Sequence, residues 1–112
     1  MASCSSITTD ATLPEVVEAL ASLSWVRTGG AQYEGGFPDD PTYYMVTENG
    51  GRMTVASDLK FDADEMETWI AVYEQEDKGL DGRLFDALAK QVNKRITLHA
   101  EDSDSIVREV NK

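Results

Sequence analysis

The run TYYMVT-ENGG-RMTVAS at residues 42–57 constrains the fold of this chain more than any other stretch. Two segments rich in β-branched and aromatic residues flank Asn49-Gly50, the pair favoured by a type I′ turn because both of its central positions need positive φ. A β-hairpin is the reading. Across it Tyr43, Met45, Met53 and Val55 share one face, and Tyr44, Val46 and Thr54 the other. Both faces are partly apolar, so cover on both sides is expected.

Helical patterns surround the hairpin. Thr12, Pro14 and Glu15 supply an N-cap, an early-turn proline and a capping-box acid ahead of Val16, Val17, Leu20 and Leu23 at helical spacing. Residues 25–28 have β character before Gly29-Gly30, and residues 31–34 return as a second short strand. Two glycines and two prolines make residues 35–41 loop. Asp62 and Glu65 read as a cap for a second helix carrying Met66, Trp69, Ile70 and Tyr73 at i, i+3, i+4 and i+7, stopped by Lys78-Gly79. Leu80, Leu84, Ala87, Leu88 and Val92 begin a third apolar stripe running to about Asn93. Ile96 to His99 reads as a short strand. The acids at 101–104 then offer caps for a last helix through Ile106, Val107 and Val110, although Ile106/Arg108/Val110 also fits alternating strand positions. Residues 1–11 show no apolar pattern and read as a flexible leader. The expectation is a single α+β domain over 12–112, a small antiparallel sheet with the 42–57 hairpin central, packed by three to four amphipathic helices. At 112 residues one core is the expected number.

Charge limits the partners. Asp and Glu total 21 against 10 Lys and Arg, a formal net charge of −11. Such a surface repels phosphate backbones and anionic lipid headgroups, so nucleic acid and acidic membranes are disfavoured and a basic protein surface is favoured. The single cysteine, Cys4, allows no intrachain disulfide and no cysteine metal cage. No signal-peptide pattern and no run of about 18 apolar residues occurs, so a cytoplasmic protein is expected.

A search for catalytic or cofactor chemistry returns little. His99, the lone histidine, falls on the strand face opposite Ile96 and Leu98, as a solvent-facing or edge imidazole would, and no G-x-S-x-G setting accompanies it. Cys4 has no neighbouring cation to activate it. The glycine pairs at 29–30, 35–36 and 50–51 belong to no phosphate-binding loop and read as turns. The acids of 58–65 lack the alternation and central glycine of a calcium loop, and helix capping by Asp62 and Glu65 explains them better. Paired carboxylates are too numerous for any one pair to be singled out. No catalytic residue, cofactor or metal is expected.

On the expected second helix, Asp64, Glu65, Glu67 and Glu74 lie off the apolar stripe with no i, i+4 lysine partner before Lys78. A face that tolerates this repulsion suits a cationic partner, so Asp64, Glu67, Glu74 and Asp77 are the candidate contact residues. Tyr33, Phe37, Tyr43 and Tyr44 cluster around the proline loop, and Tyr43 and Tyr44 are candidate contacts of an aromatic patch. The functional expectation is a non-catalytic protein that binds a basic surface, such as that of a nucleic-acid-handling protein whose ligand the carboxylates imitate. Inhibitors, immunity proteins and anti-defence proteins such as anti-CRISPRs behave this way. The alternatives are a ligand- or peptide-binding module using the aromatic patch, and an enzyme of unrecognised type.

Overall fold

A computed structural model describes residues 4–32, 42–59, 66–73, 78–100 and 105–111. In chain order these form β1 (Cys4–Thr9), α1 (Leu13–Ala21), β2 (Val26–Gln32), β3 (Thr42–Thr47), β4 (Arg52–Leu59), β5 (Met66–Tyr73), α2 (Leu80–Gln91), β6 (Ile96–His99) and β7 (Ile106–Val110). The strands make one seven-stranded sheet in the order β2-β3-β4-β5-β1-β6-β7, and every neighbouring pair is antiparallel.

This corrects the expected architecture of a small sheet under three to four helices: among the described residues there are two helices and seven strands. The difference arises at three places. Residues 66–73 satisfy a helical apolar period, but they also alternate, and Thr, Trp, Ile, Val and Tyr are residues that pack best on a pleated surface. As β5 they pair with β4 over eight positions, from Arg52↔Tyr73 to Leu59↔Met66. The alternation Ile106/Arg108/Val110 wins at the C-terminal end, giving β7 against β6 in place of a helix. Cys4–Thr9, inside the expected leader, is an interior strand paired on both sides. Its small hydroxyl residues hid the pattern: Ser5, Ile7 and Thr9 face the core and are buried.

The hairpin of β3 and β4 keeps its expected faces, with Tyr43↔Val55 and Met45↔Met53 on one and Tyr44↔Thr54 on the other. Its turn is longer than a two-residue I′ loop. Gly50 N–H donates to the Thr47 carbonyl at 3.0 Å and Thr47 N–H to the Gly51 carbonyl at 2.8 Å, enclosing Glu48, Asn49 and Gly50. Gly50, at φ 89°, takes the left-handed position that ends such a three-residue loop. Gly29-Gly30, read as a turn between two strands, instead lies inside β2, where the register with β3 shifts between Thr28 and Ala31.

Both expected helices that do form start where their signals fall. Thr12 accepts a hydrogen bond from Glu15 N–H and donates to the Glu15 carboxylate, with Pro14 in the first turn of α1. α2 starts at Gly79, a left-handed N-cap without a side chain, and Asp81 accepts from the Gly82 N–H and from the Ser5 hydroxyl. The core is a single layer. Val16 and Leu20 of α1 and Leu80, Leu84, Phe85 and Leu88 of α2 pack on Ile7, Met45, Met53, Val55, Ile70, Val72, Ile96 and Leu98 of the sheet. These alternate strand positions point one way, so both helices lie on one face and the other carries Val46, Trp69 and Tyr73 at 44%, 42% and 40% exposure. The hairpin is therefore covered on one side only among the described residues. No helix among them is long and apolar enough to cross a membrane.

Candidate functional site

The uncovered face can be mapped from strand register, because directly opposed residues of antiparallel strands point the same way. One row runs Arg27, Val46, Arg52, Tyr73 across β2, β3, β4 and β5. The next runs Tyr44, Thr54, Ala71, Ser6, His99, and the third runs Ala56, Trp69, Thr8, Thr97, Glu109 out to β7. Glu67 lies beyond Trp69 on the same face of β5. The face is therefore graded: aromatic and basic over β2 to β5, polar with carboxylates over β5, β1, β6 and β7.

At the polar end an open pocket of about 290 Å³ is lined by Thr8, Glu67, Arg95, Thr97, His99, Ile106 and Glu109. Arg95 organises it from just before β6. Its Nε and Nη2 grip Asp10 as a fork at 3.3 and 3.2 Å, and Nη2 also reaches Glu67 Oε2 at 3.1 Å. Nη1 donates to the Thr8 hydroxyl at 3.3 Å and to the Thr97 hydroxyl at 2.6 Å. Those five bonds use all five N–H groups of the guanidinium. Arg95 and Glu67 are 22% and 18% exposed at their side chains, so this pair is more shielded than a typical surface ion pair.

The hydroxyls pass the network outward. Thr97 donates to Glu109 Oε2 at 2.7 Å, and Asn111 Nδ2 donates to Glu109 Oε1 at 3.0 Å. The Thr97 bond foremost, and the Asn111 bond next, hold the Glu109 carboxyl below the ordinary carboxylate range, so it is ionised at neutral pH. Thr8 Oγ1 and His99 Nε2 are 3.0 Å apart. His99 is on the face opposite Ile96 and Leu98, as its strand position implies, but it is half-buried, with β7 beside its strand.

The contact residues named from sequence fare unequally. The acidic helical face does not exist in the form expected, because Glu67 belongs to β5 and stands on a sheet face, tied to Arg95. Asp64, Glu74 and Asp77 lie outside the described residues, as do Tyr33 and Phe37. Tyr43 faces the core and packs against it half-buried, whereas Tyr44 is on the uncovered face. The structure thus separates Tyr43 from Tyr44 and joins Glu67 to residues the sequence did not single out: Thr8, Asp10, Arg95, Thr97 and Glu109. Only the polar alternates of ITLH at 96–99 signalled any of them, by placing Thr97 and His99 together off the core face. No group of three or more possible metal ligands occurs among the described residues. Comparison with protein families, with curated proteins and with solved structures finds no match to this chain.

Proposed function

We propose that this is a non-catalytic binding protein that applies the uncovered face of its sheet to a basic protein surface, as an inhibitor, immunity or anti-defence protein acting on a nucleic-acid-handling partner. The observation that carries the reading is the face itself. Val46, Trp69 and Tyr73 project from it with neither α1 nor α2 over them, while its far end offers the ionised Glu109 and the carboxylate of Glu67 in a chain of net charge −11. Large exposed aromatic side chains next to charge are the composition of an energetic contact centre with a polar rim. Excess negative charge steers a cationic partner and suppresses anionic ones.

One contact favours an enzyme instead, the Thr8 hydroxyl beside the His99 imidazole, which has the spacing of a nucleophile and its base. Binding is preferred because Thr8 lies in the middle of an interior strand, paired to Trp69 on one side and Thr97 on the other. The sheet ladders engage the β1 backbone on both sides of it, so its own strand offers no free N–H groups for an oxyanion hole.

The test is capture of partners at low and high salt by the wild-type protein and by a Trp69→Ser/Tyr73→Ser variant. The reading predicts a basic partner held at low salt, released at high salt and lost in the variant. Equal capture by both forms, or turnover that disappears in His99→Ala, overturns it.

A further inference from the structure

Strand β5 is fourth of the seven in sheet order, and the two halves of the uncovered face on either side of it differ in charge. On the β2 to β4 side stand Arg27 and Arg52, both exposed and neither in an ion pair among the described residues. On the β1 to β7 side the outermost strand carries Glu109, exposed and ionised. The exposed rings of Trp69 and Tyr73 lie between, on β5 itself. Beside Trp69 the side chains are small: Ala56 opposes it on β4, and Thr54 and Ala71 oppose each other in the next row.

We infer that this face receives a second copy of the chain, the two sheets packed face to face about a two-fold axis in the plane of contact. The inference goes beyond the reading of the face as a contact for a basic partner, because it gives the face an occupant when that partner is absent. An axis passing through β5 lays β2 of one copy over β7 of the other, so each Arg27 turns toward the strand that carries Glu109, twice by symmetry. Packed sheets interdigitate the side chains of their inner faces, and Thr54, Ala56 and Ala71 leave the recess that a projecting ring requires. Among the described side chains the face sets Arg27, Arg52 and Arg95 against Asp10, Glu67 and Glu109, so like charges do not dominate the contact itself. Contact over roughly 25 Å by 25 Å of a molecule 35 × 30 × 29 Å in extent removes roughly 1,200 Å² in total from water, the lower end of stable interfaces. The opposing effect is long-range repulsion between two chains of net charge −11, which salt screens.

The experiment is sedimentation equilibrium of the full chain from about 1 to 500 µM at about 0.05 and 0.5 M salt, a range that spans micromolar dissociation constants. The expected result is a monomer–dimer equilibrium that tightens severalfold at the higher salt, where the repulsion is screened. Capture of a basic partner changes with salt in the opposite sense, so the two readings fail separately. At the higher salt Trp69→Ser/Tyr73→Ser should weaken the dimer about tenfold or more, the loss expected when central aromatic contacts are removed. Arg27→Glu and Glu109→Arg should each weaken it, and an equimolar mixture of the two should recover it, since each reversed charge then meets its complement. Dilution of the wild-type chain followed by amide NMR needs no substitution, and should shift Val46, Trp69 and Tyr73 with the outer surfaces of α1 and α2 unchanged. A monomer at every concentration and salt, dilution shifts confined to the helices, or an undiminished dimer in the folded Trp69→Ser/Tyr73→Ser variant overturns the inference and leaves the basic partner standing. Failure of the mixture to recover the dimer overturns the two-fold arrangement.

Discussion

Arg95 joins β1, β5 and β6 through one guanidinium, so its replacement tests the polar layer of the sheet. Alanine there removes the fork on Asp10, the bond to Glu67 and the donors that Arg95 gives the Thr8 and Thr97 hydroxyls. Because the guanidinium is partly exposed, the loss is discounted for solvent to about 1–3 kcal/mol, measured as a lower unfolding free energy in urea. Arg95→Lys recovers only part of it, since a single ammonium cannot reproduce a fork that spans two carboxylates. Glu109 gives a second test. Its folded pKa is depressed, chiefly by Thr97, so the bond favours the folded chain above the ordinary carboxylate value and is lost as pH falls through the depressed one. NMR titration of its carboxyl should show a midpoint below that of an ordinary glutamate, and Thr97→Val should move it back up. An unchanged midpoint in that variant would remove the hydrogen bond as the cause.

Strand β5 is the element on which the account differs most from a helical reading of the same residues. On a helix, Trp69 and Ile70 share one buried stripe and have comparable stability cost on truncation. On the strand they face opposite ways, Ile70 fully buried and Trp69 42% exposed. Ile70→Ala should therefore cost about 2–5 kcal/mol in urea unfolding, and Trp69→Ala less than half as much. The elements legible in sequence were those with local punctuation: the Thr12 cap for α1, the apolar stripe of α2, and the glycine turn between β3 and β4. β5 was not, because METWIAVY satisfies periods of 3.6 and 2 at once and only the β4 and β1 partners decide between them. β1 was hidden by core positions filled with serine and threonine, whose burial is tolerated through bonds such as Thr9 Oγ1 to the Arg95 carbonyl at 2.6 Å. The pocket was illegible for the same reason, since it assembles from residues as distant in sequence as Thr8 and Glu109 through strand order alone.

At the scale of the whole molecule, the two helices on one side of the seven-stranded sheet leave its other face without a helix among the described residues, and on the proposed reading the charge of −11 selects what approaches that face. Attraction of this kind is screened as the Debye length shrinks from about 10 Å at 0.1 M salt to about 3 Å at 1 M, so association should slow and weaken across that range. The apolar part of the contact, at Val46, Trp69 and Tyr73, should leave a salt-resistant remainder. The measurement that bears most directly on the uncovered face is an amide NMR footprint of an arginine-rich peptide bound to the full chain at low salt. The account predicts perturbations at Tyr44, Val46, Thr54, Trp69, Tyr73, Thr97 and Glu109, with the outer surfaces of α1 and α2 unchanged. A footprint on the helices, or no binding at low salt, would contradict it.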